Sequence, residues 1–257
     1  MKYIFVVVLM GLLTAMRAAE PVKIVDAIGN EPLLRRAVMT LALKEDGGVY
    51  RIKNTEFVPA AKALKDGQAD FVICSSDDLP QLRKEVPSLT AEPYAIEVLG
   101  IAVNSGNEVK DMPLAELRKI FGGPTISWRD YNGTGFMIHK IAPGRHAVGK
   151  QVFYHKLLQG KEVAKDVALS ENAAEPLIMA TGNRNALACG VWNLRPMLEA
   201  RFLTVDGIEP TPENVKSGKY PLAVTYYICS TRPIPGKLLQ ALRDDKNLES
   251  LNLISVQ

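Results

Sequence analysis

The chain reads as an α/β protein built from two lobes. Two observations predict this. Apolar runs of strand length alternate with amphipathic stretches of helical spacing, the order that produces parallel βαβ packing. The length of 257 residues, less an N-terminal leader, suits one large or two modest α/β lobes.

The elements follow in order. Val22–Ile28 (VKIVDAI) reads as a first strand ending at Gly29. Pro32–Leu43 carries apolar residues at helical spacing. Tyr50–Phe57 alternates as a strand, and Pro59–Lys65 (PAAKALK) is a short helix with proline early, where its missing N–H costs nothing. Ala69–Ser75 (ADFVICS) is a continuous apolar run, as a strand buried on both faces requires. A Ser/Asp turn and a helix over Leu79–Lys84 follow. Ile96–Asn104 is the next strand, and Pro113–Phe121 is an amphipathic helix closed by Gly122-Gly123. Strands are expected at Met137–Ile141 and Ala186–Trp192, and helices at Gly149–Leu158 and from Glu175 to Ala180. The Pro- and Gly-rich stretch from Gly207 to Pro221 is the expected return between lobes. A strand over Tyr220–Ser230 and a helix over Gly236–Asp244 complete the pattern.

The start of the chain has the layout of a cleavable secretory leader over residues 1–19. Lys2 precedes an apolar run from Ile4 to Leu13, and Ala15, Ala18 and Ala19 follow it. That run is about ten residues, whereas spanning a bilayer takes roughly 20. No cysteine near the leader exit offers a lipid attachment point. The expected location is therefore periplasmic or secreted. The formal charge is +3, and removing Lys2 and Arg17 leaves +1, so composition implies no nucleic-acid partner. Cys74, Cys189 and Cys229 lack CxxC spacing and sit among apolar residues. They read as buried thiols, with one disulfide as the competing reading in an oxidising compartment. His139, His146 and His155 are spaced seven and nine apart, which does not suit one helix face. No metal, no cofactor and no catalytic motif is expected. Trp128, Trp192, Tyr131 and Tyr154 read as core or cleft-rim packing.

Three segments carry a family resemblance: Leu114–Trp128 (LAELRKIFGGPTISW), Val205–Ser230 (VDGIEPTPENVKSGKYPLAVTYYICS) and Asp66–Leu79 (DGQADFVICSSDDL). Each resembles a segment of the phosphate ABC-transporter substrate-binding proteins, in the expected order. Weaker matches run from Ala27 to Leu43 and from Asn172 to Trp192. The resemblance implies the two-lobed periplasmic-binding-protein type II fold, in which crossing strands join two lobes that close on a small anion. Lobe 1 is then expected over 20–95 plus 224–257, and lobe 2 over 96–223.

The resemblance places four loops around the anion. A buried oxyanion needs backbone N–H groups, hydroxyl donors and usually an arginine. In the first loop Asn30 can donate from its amide, and a plain helix cap is the competing reading. The second loop, Thr55-Glu56-Phe57-Val58-Pro59, lacks the glycines and serine of the family. In the third, Ser75 and Ser76 can donate, while a shift of two residues puts Asp77 at the family's carboxylate position. In the fourth, Arg145 and Gly149 match, Val148 and Lys150 replace two hydroxyl residues, and Lys150 adds an ammonium. The implied function is capture of a phosphate-like oxyanion for an ABC permease by a monomeric, non-enzymatic protein. The alternative is a domain that has lost tight phosphate binding and serves a membrane sensor or another protein partner.

Overall fold

The computed structural model describes residues 20–43, 48–124, 126–131, 133, 136–194 and 201–256. The expected leader over 1–19 lies outside the described residues.

Runs of apolar residues become strands where both faces are covered. β3 (Phe71–Ser75) is buried at all five positions, and it lies between β1 (Val22–Asp26) and the late strand β11 (Ala223–Ser230). The other early elements are α1 (Glu31–Leu41), β2 (Tyr50–Asn54), α2 (Phe57–Lys65) and α3 (Leu79–Glu85). β4 (Thr90–Val103) extends six residues earlier than its apolar run suggests, because its first half pairs with β11. After it come β5 (Asp111–Met112), α4 (Leu114–Gly122) and β6 (His139–Pro143). A π-helix over Gln151–Leu157 takes the place of the expected ordinary helix. β7 (Ala168–Ser170), α5 (Glu175–Gly182), β8 (Ala186–Val191), β9 (Arg201–Phe202) and β10 (Thr204–Val205) follow. α6 (Pro212–Lys216), α7 (Gly236–Leu242), α8 (Asp245–Ser250) and β12 (Ile254–Ser255) surround β11. α6 falls inside the stretch expected as turns; Thr211 caps it, its Oγ1 accepting from the Asn214 N–H at 3.2 Å.

Among the described residues the main sheet runs β2-β1-β3-β11-β4-β8-β6-β7. Its two ends are parallel units: β1 pairs in parallel with β2 and β3, and β6 does so with β7 and β8. β11 and β4 lie antiparallel between them. β4 changes partner along its length, from β11 over Thr90–Val98 to β8 over Leu99–Val103. One strand therefore belongs to both halves. This arrangement leaves the carboxyl ends of β1, β3 and β6 close to the central pair, the usual place for a ligand in open α/β sheets.

The largest core cluster joins the two halves through Tyr94, Leu99, Phe121, Trp128, Phe153 and Tyr220. Trp128 is fully buried and its indole N–H donates to the Asn185 carbonyl at 2.9 Å; it is core. Tyr131 donates its hydroxyl to Glu116 at 3.1 Å. All three cysteines are buried thiols, and the Cys74 and Cys229 sulfurs stand 3.5 Å apart across β3 and β11. No described helix is long and apolar enough to cross a membrane.

Candidate functional site

A cleft of about 680 Å³ opens where the carboxyl ends of β1 and β3 face the segment after β6. The two sides differ in charge. Asp26, Glu56, Asp77 and Asp78 come from the β1–β3 side, whereas Arg145, Lys150 and His155 come from the other.

Arg145 stands two residues beyond β6, in a turn held by the Gly144 N–H donating to the Ser170 carbonyl at 2.8 Å. Its guanidinium lies 5.1 Å from the centroid of the Tyr154 ring, a cation–π geometry that keeps it over the cleft. Lys150 leads into the π-helix and reaches across to Gly29. A Cβ on Gly29, whose φ is +73°, would stand 2.8 Å from the Lys150 ammonium. π-turns of this kind often mark functional positions. Here the wider turn brings Gln151, Tyr154 and His155 to the cleft wall. Gln151 donates its side-chain amide to the Ile28 carbonyl at 2.7 Å, and Lys156 pairs with Asp77 at 3.2 Å. Both contacts bridge the cleft.

Of the residues expected to bind an anion, Ser75, Arg145 and Lys150 line this cleft together. Asn30 lines a smaller adjoining pocket of about 110 Å³, which also touches Lys150 and Gln151. Its side chain makes no capping hydrogen bond to α1; the amide lies 3.4 Å from the Tyr94 hydroxyl. Ser76 and Gly149 line neither. The Ser76 N–H donates to the Thr225 carbonyl at 2.7 Å and its hydroxyl accepts from the Thr225 N–H at 3.4 Å, so both groups serve the β11 edge. Gly149 has φ +93° and donates its N–H to Glu97 at 2.8 Å. Ser75 donates its hydroxyl to Asp78 at 2.7 Å and accepts from the Asp78 N–H at 3.2 Å. That is the Ser/Asp turn expected ahead of the helix at α3.

Two buried carboxylates organise the site. Glu97, on β4, accepts from the Gly149 N–H and from the Tyr226 hydroxyl at 2.7 Å. Burial pushes its carboxyl up, against the hydrogen bonds that favour the charged form. Asp26, at the end of β1, is fully buried. One of its oxygens accepts from the Ile28 and Gly29 N–H groups at 3.0 and 3.1 Å, while the other has no hydrogen-bond partner. Burial raises its carboxyl from 3.8 to about 6, and the backbone donors and Lys150 only partly offset this.

Asp26 therefore carries a stability signature. A carboxyl whose pKa is raised on folding binds its proton more tightly in the native state. Its contribution is present below pH 3.8 and is lost as pH rises through about 6. We expect Asp26→Asn to lower the melting temperature at pH 4 and to raise it, relative to the parent, at pH 7.5. Thermal unfolding at the two pH values reads this; a difference that does not change with pH contradicts it.

Asp26 and Gln151 carry no role on sequence grounds, and His155 figures there only in the weak metal spacing of the three histidines. Asp26 is the one acidic residue in an otherwise apolar strand end, directly before Ala27-Ile28-Gly29. Gln151, Tyr154 and His155 are spaced three and four apart, the spacing of one helix face. Both signals were present.

No protein-family model matches the chain. It is 26% identical over 153 residues to the phosphate-binding protein PstS of Bacillus subtilis (strain 168). The match covers 58% of this chain and 50% of the relative, so the chain spans about half the length of the curated relative it matches. The fold is shared more widely. A "possible phosphate binding protein" from Planctomyces limnophilus DSM 3776 superposes with a TM-score of 0.79 at 17% identity, covering 92% of this chain and 93% of that one. PstS from Borrelia burgdorferi gives 0.71 at 12%, covering 92% and 98%. An ABC-type phosphate transport receptor from Vibrio cholerae gives 0.68 at 14%, covering 91% and 99%. Over those 153 residues the chain is similar in sequence to a phosphate-binding protein, and its two-lobed α/β fold is the one shared by the phosphate-binding proteins and transport receptors named above.

Proposed function

We propose that the protein is an extracytoplasmic solute-binding protein. It takes a small oxyanion, phosphate or a related ion, in the cleft and delivers it to an ABC-type permease. The observation that carries this reading is the meeting of Arg145, Lys150 and Ser75 in one cleft at the carboxyl ends of β3 and β6. Arginine supplies a planar fork for an oxyanion and lysine a point charge. The names of the relatives, all binding proteins or transport receptors, support binding without catalysis. The leader-like residues 1–19 support export. The lobes proposed to close are 20–95 plus 224–257 and 96–223, moving about β4 and β11 as a hinge.

Phosphate itself is held weakly in this reading. The Ser75 hydroxyl is committed to Asp78 and the Gly149 N–H to Glu97. Each hydrogen bond absent from a charged ligand costs about 1.5–3 kcal/mol, and affinity falls tenfold per about 1.4 kcal/mol. Titration calorimetry with phosphate, sulfate and molybdate is expected to give a phosphate Kd above the micromolar range. Sub-micromolar phosphate binding would falsify the weakening. Absence of binding by every oxyanion would sink the solute-binding reading and favour a domain that acts through protein contacts.

A further inference from the structure

We propose that the cleft selects a small zwitterion, with an oxyanion head at Arg145 and Lys150 and an ammonium group on the opposite acidic wall. The inference rests on the oxyanion reading above and names the ligand class within it.

The charges on the cleft wall argue for it. Asp26, Glu56, Asp77 and Asp78 oppose Arg145 and Lys150. Lys156, from beyond the wall, compensates Asp77. Lys150 is drawn toward two buried carboxylates, Asp26 and Glu97, and its attraction favours the charged form of each. An inorganic dianion would therefore enter a cleft that already holds more negative charge than positive. A ligand that brings its own ammonium removes that conflict. The two signs are also segregated: every acid on the wall lies between residues 26 and 78, whereas the cations are Arg145 and Lys150. A dipolar molecule fits this separation, whereas a spherical anion uses only one side of it.

The second observation is Asp26. It is fully buried on the cleft wall, and one carboxylate oxygen has no hydrogen-bond partner. A buried acceptor of this kind is costly unless something donates to it. A ligand N–H is such a donor. The volume agrees, because about 680 Å³ lies within the range of clefts that hold organic molecules.

Calorimetry on the purified protein with 2-aminoethylphosphonate, ethylphosphonate and inorganic phosphate tests the proposal. The two phosphonates share a head and differ in the ammonium. We expect the amino compound to bind at least about tenfold tighter than ethylphosphonate, as one charge-assisted hydrogen bond implies. We expect the triple variant Asp26→Asn/Glu56→Gln/Asp78→Asn to bring that ratio toward one, with melting curves confirming that it folds. Equal affinities, phosphate binding tightest, or a ratio unmoved in the triple variant overturn the zwitterion and leave the oxyanion reading standing. If none of the three ligands binds, the oxyanion reading fails and the zwitterion falls with it.

Discussion

Replacing Arg145 by alanine is expected to weaken binding of the tightest oxyanion ligand by about tenfold to several hundredfold. Two charge-assisted hydrogen bonds from an exposed arginine, each near the low end of about 1.5–3 kcal/mol, set the upper end. Loss of one, with Lys150 retained, sets the lower. The fold should tolerate the change. Arg145 is exposed, and its described packing is the cation–π contact with Tyr154, worth about 0.5–1 kcal/mol at such a site. Arg145→Lys separates charge from geometry: a point charge restores part of the affinity without the planar fork. Calorimetry on the three proteins measures this directly. An unchanged Kd in Arg145→Ala shows that the anion does not sit at this turn.

Glu97→Ala should produce the largest loss of stability. Glu97 is buried on β4 and accepts from the Tyr226 hydroxyl on β11 and the Gly149 N–H at the start of the π-helix segment. Removing it orphans two buried donors at about 1–3 kcal/mol each and leaves a cavity. The expected loss is about 3–5 kcal/mol, which for a chain of this size lowers Tm by roughly 10 °C. Glu97→Gln keeps the acceptor for the Gly149 N–H but forces the Tyr226 hydroxyl to turn from donor to acceptor of the amide, so an intermediate loss is expected. Tyr226→Phe removes only one donor and should cost least. Thermal unfolding of the series gives the order. Equal stability of Glu97→Ala and the parent would mean that the three elements are not tied at this carboxylate. Binding should weaken along with stability, because Gly149 and Lys150 are adjacent and the same contact holds both in place.

Much of the scaffold was legible in the linear chain because its signals are local. The apolar run Phe71–Ser75 specified a strand covered on both faces, and the period of Leu114–Phe121 specified an amphipathic helix. Arg145, Lys150 and Ser75 were legible as candidate ligands because the family resemblance places their loops around the anion. Other features depend on partners distant in sequence. Gly149 reads as a free helix-start amide until Glu97, 52 residues earlier, is placed against it. Lys156 and Asp77 are 79 residues apart, and their pairing across the cleft follows from the order of the strands. The early start of β4 required β11 as a partner, because Thr90–Ala95 has a weak strand pattern of its own.

The sequence by itself determined an alternating α/β chain, its family resemblance, and the loss of the glycine- and hydroxyl-rich loops around the expected anion. Those are matters of residue type and spacing, which survive without coordinates. Only the tertiary structure decided how the polar groups are spent. It commits Ser75 to Asp78 and Gly149 to Glu97, brings Asp26 to the cleft wall with one oxygen unpartnered, and separates acids from bases across the cleft. The physical reason is that a hydrogen bond or a desolvated charge is defined by its neighbours in space. For Asp26 and Glu97 those neighbours include Lys150, more than 50 residues away in sequence for each.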